Sequence, residues 1–299
     1  MLIPLYMDYC ETRLPPASAY RVTECKVPVD GGEIAVRCLT PTPSRFPPQA
    51  FPLLVWYHSG GWTAGTLDLD DYYLRSICVE LGLAVVNVDY RLAPEHPFPT
   101  GVHDAYAALK WTATHASELS ADPARGFLVG GMSAGANLAA AVAIRARDDA
   151  FFARTRLTGQ VLQMPCVVHP DAYPEQYKSE LRSMEQHADA PFLAAHKLRT
   201  FWHATQAPPA DPLFSPLLAP SHARLPRTYV QVCGLDPLRD EGLLYARVLR
   251  EAGVITKLDV SVHLSSFLYA HVGLIGRVRA GTPELRIRST CCSRKPRPG

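Results

Sequence analysis

The chain has 299 residues, 47% hydrophobic and 19% charged, which suits a globular protein with a sizeable core. A formal net charge of only +2 excludes a case for nucleic acid or an anionic membrane surface as partner. No apolar run approaches the length of a membrane span, and the start, MLIPLYMDYC, is broken by Pro4 and Asp8, a poor secretory signal.

In chain order, residues 1–30 hold no clear strand. The segments 33–39, 53–57, 83–90, 126–131, 159–164, 228–234 and 255–260 read as strands rich in Val, Leu and Ile. Several are continuously apolar, the pattern of strands covered on both faces. Helical patterns lie near 68–81, 102–117, 134–148 and 238–252. This alternation predicts an α/β fold with a mostly parallel sheet and helices on both faces. Residues 168–222 are longer than a crossover needs and contain helix-like pieces at 174–188 and 191–204. That insertion, together with residues 1–30, is expected to form a lid over the C-terminal edge of the sheet, where open α/β sheets bind ligands. Residues 1–276 then form one domain, and 277–299, with six Arg and one Lys against one Glu, a basic disordered tail. The eight cysteines are scattered without a C-x-x-C pair, which fits reduced thiols in a cytoplasmic protein.

The stretch GGMSAGANLA (130–139) places Gly131, Ser133 and Gly135 as G-x-S-x-G between a strand and an Ala-rich helix. Such a turn lifts a serine hydroxyl above the sheet as a nucleophile, although a serine there also suits a helix cap. Upstream, YHSGGW (57–62) ends a strand on two glycines whose N–H groups can face a ligand without a Cβ in the way. With Ala134, the residue after the serine, Gly60 and Gly61 are candidate oxyanion donors. Downstream, GLDPLRDEG supplies Asp236 on a loop after a strand, to orient a base or to cap the helix opened by Pro237. Asp240 and Glu241 are assigned to that helix's first turn. The loop DYRLAPEHPFP (89–99) reads as structural, and His96 and His103 are set aside as bases. Cys233, near the site, reads as a small core residue.

The motifs YHSGGW, VDYRLAPEHPFP, GGMSAGANLA, DPLFSPLLA and GLDPLRDEG, in this order over about residues 50–260, resemble those of the hormone-sensitive-lipase-like α/β-hydrolase esterases. The resemblance implies a carboxylic ester hydrolase with Ser133 and Asp236 in a triad and no metal or organic cofactor. It departs from the family where Ser59 replaces the first glycine of H-G-G-G and Met132 fills a position that is often acidic. The wording of the motifs is similar to filamentous-fungal members, some of which act on acetylated polyketide intermediates.

A base must follow Asp236 in a Ser–Asp–His order. The resemblance ends near Val260, before the family's P-H-G-F loop, and the chain offers His263, closest to the strand, and His271. Three readings stay open: His263 as base, His271 as base, or neither. Val260–Ser261 is also what a splice donor of the GTAAGT or GTGAGT type would encode if read through, so residues 261–299 are expected to derive from a retained intron or a wrong gene model. The residues thus predict a serine esterase acting on a small to medium apolar ester. Trp62, Tyr72, Tyr73, Phe192 and Trp202 are candidate pocket aromatics or plain core. The competing class is a ligand-binding protein on a disabled scaffold, as in the plant gibberellin receptors that resemble this group.

Overall fold

The computed structural model describes residues 14–42, 50–191 and 193–261. His263, His271, Phe192, residues 1–13 and the tail 277–299 lie outside the described residues. Among the described residues the chain forms an eight-stranded sheet in the order β1-β2-β4-β3-β5-β6-β7-β8. Its strands are β1 (Tyr20–Val29), β2 (Gly32–Pro41), β3 (Leu53–Tyr57), β4 (Ala84–Asp89), β5 (Phe127–Met132), β6 (Gly159–Gln163), β7 (Arg227–Cys233) and β8 (Thr256–Ser261). The β1–β2 and β2–β4 pairings are antiparallel, and all the others are parallel.

The strand β1 corrects the expectation that residues 1–30 hold none. It escapes a search for apolar runs because it is an edge strand whose exposed positions are Arg21, Val22, Thr23, Glu24, Lys26 and Pro28. Its signal is the hairpin: Asp30 and Gly31 join β1 to β2, and Gly31 takes φ +76°. An Asp-Gly pair between alternating strands supplies the left-handed backbone that a tight hairpin needs.

The helices are α1 (Asp71–Leu81), α2 (Thr100–Thr114), α3 (Ala134–Asp148), the short α4 (Ser183–Gln186), α5 (Ala195–Thr205) and α6 (Arg239–Glu251). Residues 174–188 are mostly not helical: a 3₁₀ turn at Glu175–Tyr177 and the four residues of α4 replace the expected helix. Helix α1 packs on one face of the sheet, where Tyr73, Leu74 and Ile77 meet Leu54, Trp56 and Val85. Helices α2, α3 and α6 cover the other face, against Val55, Tyr57, Val86 and Val129. The fully buried β3 alternates between these two layers, which is why it reads as an unbroken apolar run. Burying a Leu such as Leu74 stabilises by roughly 1.5–3 kcal/mol.

Strand order fixes where a site can form. From β3 the chain crosses to β4 over the α1 face, and from β5 it crosses to β6 over the α3 face. β3 and β5 are neighbours, so the loops at their C-terminal ends diverge to opposite faces and open a crevice between them. The stretches 58–62 and 133–135 leave the sheet at this switch point.

Candidate active site

Ser133 follows β5 with φ +55° and ψ −116°, a conformation costly for any residue with a Cβ. Its side chain makes no capping bond to α3, so capping does not account for the serine. The turn is held by its backbone: the Ser133 N–H donates to Gln163 O at 2.8 Å, and its carbonyl accepts from Asn137 N–H at 3.0 Å. Gly131 and Gly135 are forced by crowding. A Cβ on Gly131 would lie 2.7 Å from Tyr57 O, and one on Gly135 would lie 2.6 Å from His58 O. The serine turn is therefore wedged against the end of β3, and the side chain of Ser133 keeps partial solvent access.

At the end of β3 the chain turns on Gly60 (φ +125°) and Gly61 (φ +61°). A Cβ on Gly60 would lie 2.6 Å from the Ala64 carbonyl carbon, and one on Gly61 would enter the ring of Phe201. The Gly60 carbonyl accepts from Thr63 and Ala64 N–H at 3.2 and 3.0 Å, which closes the turn. Among the described residues no acceptor takes the N–H of either glycine. Ala134, 1% exposed, opens α3, so its N–H is among those that a helix leaves without an internal partner. Ala134 thus presents its N–H at the positive end of α3, next to Ser133 in the chain, and Gly60 and Gly61 follow the end of β3 against which the serine turn is wedged.

The loop carrying the glycines is braced from below. His58 is fully buried, stacks on Tyr90 with ring centroids 4.3 Å apart, and has Nδ1 2.7 Å from Ser59 O. A carbonyl can only accept, so Nδ1 carries the proton, and burial lowers the His58 pKa, favouring the neutral ring. Tyr90 Oη donates to His58 O at 2.9 Å, and Ala93 N–H to Trp62 O at 2.9 Å, so the 89–99 loop supports the glycine turn as expected of a structural loop. His96 and His103 are exposed.

Asp236 lies on the turn after β7 and is 1% exposed. Its Oδ1 accepts the N–H of Leu238 at 2.8 Å, so it does brace the entry to α6. Next to it, the Gly234 N–H donates to Ser261 O at 2.9 Å, tying the turn to the end of β8. The turns of Ser133 and Asp236 and the end of β8 thus share the C-terminal edge of β5, β7 and β8. His263 is two positions beyond Ser261 and outside the described residues. Burial pushes the Cys233 thiol up to about 12, which fits a core residue and not a nucleophile. Tyr73 packs on Trp56 in the α1 layer, and Trp62 and Trp202 are likewise buried.

Two features of the site were not anticipated. Asn137, 1% exposed in the Ala-rich α3, donates through Nδ2 to Cys166 O at 2.8 Å and Phe214 O at 2.7 Å. It fastens the helix behind Ser133 to both flanks of the insertion; an amide in an otherwise apolar helix face was the available signal. Asp240 and Glu241 do lie in the first turn of α6, but their side chains bind the backbone of the insertion (below). Among the described residues no group of three or more His, Cys, Asp or Glu could hold a metal ion, and no helix is long and apolar enough to cross a membrane.

Fold and site together define an α/β-hydrolase with a serine turn facing a glycine loop. The family model for the alpha/beta hydrolase fold matches residues 54–263. The carboxylic ester hydrolase LipN of Mycobacterium tuberculosis is 40% identical over 286 residues, 92% of this chain and 72% of that protein. The versiconal hemiacetal acetate esterase of Dothistroma septosporum is 35% identical over 210 residues, 70% of this chain and 63% of that protein. The crystal structure of vibralactone cyclase superposes with a TM-score of 0.88 at 44% identity, covering 94% of this chain and 82% of that one. The chain belongs to the hormone-sensitive-lipase-like α/β-hydrolases and is a carboxylesterase-type hydrolase.

Proposed function

We propose that Ser133 is the nucleophile of a serine esterase acting on a small to medium apolar ester. Its Oγ attacks the ester carbonyl and passes its proton to a histidine downstream of Asp236, for which His263 is the first candidate and His271 the second. Asp236 orients that imidazole and stabilises its cation. The N–H groups of Gly60, Gly61 and Ala134 stabilise the tetrahedral oxyanion, the alcohol leaves with the proton, and water releases the acyl group. The insertion 168–222 acts as a lid over this edge. The observation that carries the reading is the positive-φ turn at Ser133, without a capping bond, wedged against the carbonyls of Tyr57 and His58 just ahead of a glycine pair whose N–H groups meet no acceptor among the described residues. Strain of this kind is retained where a site requires it.

The likeness to a versiconal hemiacetal acetate esterase supports an acetylated polyketide intermediate as substrate. Likeness to a solved cyclase supports a second reading, in which a hydroxyl on the acyl chain replaces water and releases a lactone from Ser133. Labelling of Ser133 by a fluorophosphonate, with hydrolysis of short against long p-nitrophenyl esters, tests the first reading, using Ser133→Ala as control. A chain that neither labels nor hydrolyses favours a ligand-binding protein on the same scaffold. A lactone product from a hydroxy-ester in place of the free acid favours the cyclase reading.

A further inference from the structure

The first turn of α6 holds three consecutive charged residues, Arg239, Asp240 and Glu241, and all three reach the insertion. Glu241, 2% exposed, accepts through Oε2 from the N–H groups of Val167 and Val168 at 2.7 and 2.9 Å, where the insertion begins. Asp240 accepts through Oδ2 from the N–H groups of Arg182 and Ser183 at 2.8 and 2.7 Å, in its middle. Ser183 Oγ in turn donates to Pro237 O at 2.6 Å, on the turn that carries Asp236. Arg239 donates to Gln186 Oε1 and His187 Nε2 on the far side of α4, and to Gly234 O on the same turn as Asp236. Gly242 permits the close approach, since a Cβ there would lie 2.6 Å from Val232 and 3.4 Å from Pro165.

One acidic side chain, Asp240, would be enough to meet the helix dipole. Two acidic side chains, each gripping a consecutive pair of N–H groups 15 residues apart along the chain (167–168 and 182–183), form a clamp. We propose that Asp240 and Glu241 are positioning residues: they lock the insertion to the Asp236 turn, so that the triad acid and the lid move as one body. This rests on the reading of Asp236 as the triad acid. The clamp has a built-in pH limit. Glu241 Oε1 is buried with no hydrogen-bond partner among the described residues, and burial, opposed by its two N–H bonds, raises its pKa to about 8. The groups facing it are Asp236 and Asp240 on its own turn, Cys166 after β6 and Tyr173 in the insertion. None of these is a cation, so an ionised Glu241 adds uncompensated negative charge beside Asp236.

Kinetics on p-nitrophenyl acetate and hydrogen exchange of the peptide spanning 165–184 test this on the full chain. Glu241→Ala and Asp240→Ala are expected to lower kcat at least tenfold with KM changed less than threefold, and to speed exchange at 167–168 and 182–183 respectively at least tenfold. Glu241→Gln and Asp240→Asn, which keep an acceptor oxygen, are expected to restore kcat to within threefold at pH 7. The kcat of the parent is expected to fall above about pH 8, and in Glu241→Gln that fall is expected to vanish. An alanine variant with parental kcat or parental exchange overturns the clamp. Should the alanine variants not fold, a Glu241→Gln profile identical to the parent's overturns it. A parent chain that neither labels nor hydrolyses counts against the proposed function, and exchange still decides the clamp.

Discussion

The main chain of Gly135 lies so close to the carbonyl of Tyr57 that any Cβ at 135 would overlap it. The serine turn and the strand leading to the glycine loop are thus in backbone contact, and neither can shift without the other. Gly135→Ala is expected to separate them, lowering kcat/KM on p-nitrophenyl acetate by about 100-fold or more, since small misplacements at a reacting centre carry such costs. The fall should exceed the loss of folded protein measured by circular dichroism.

On the proposed function, the strained backbone of Ser133 serves its hydroxyl. Ser133→Ala is expected to remove at least about 1,000-fold in kcat while leaving the fold intact. Ser133→Gly should also be inactive yet more stable than Ser133→Ala by about 1 kcal/mol, because only glycine adopts φ +55° with ψ −116° freely. Urea midpoints of the two variants check the difference.

Gly60 and Gly61 should respond differently to a methyl group. At Gly60 the obstacle is the Ala64 backbone, which cannot yield, whereas at Gly61 it is the partly exposed ring of Phe201. Gly60→Ala is therefore expected to abolish hydrolysis beyond rescue. Some activity should return to Gly61→Ala when it is combined with Phe201→Ala, although φ +61° leaves residual strain. Paired kinetics of the single and double variants decide this.

Removing the amide of Asn137 leaves the carbonyls of Cys166 and Phe214 buried without their donor. Asn137→Leu is expected to destabilise by about 2–5 kcal/mol, read as a lower urea midpoint. Asn137→Asp should be worse at neutral pH, since a carboxylate would face two carbonyls.

Glu241 makes stability depend on pH in a defined direction. Its folded pKa of about 8 exceeds the ordinary 4.5, so the stability held by the neutral carboxyl is complete below about pH 4.5. It declines as pH rises and is lost by about pH 8, as the unfolded chain releases the proton first. The parent should lose roughly 2–4 kcal/mol over this window relative to Glu241→Gln, measured by urea melts at pH 5, 6.5 and 8.

Much of this protein is written locally. The apolar runs of β3 and β5 and the largely apolar β4, with the glycines around Ser133, fix the parallel sheet and its serine turn, because strand burial and backbone sterics act over a few residues. The resemblance of five motifs added the family and, with it, the expected partner in Asp236. Edge strand β1 was hidden, since one face of it meets water and alternation there is diluted by charge. Folding alone decided what Asn137, Asp240 and Glu241 do. Their partners stand 29 to 77 positions away for Asn137 and 57 to 74 for the two acids, and no local pattern encodes which distant N–H or carbonyl a buried polar group will meet. That choice follows from how the insertion packs onto α3 and α6, where every buried donor and acceptor must find a partner or bear the cost of desolvation.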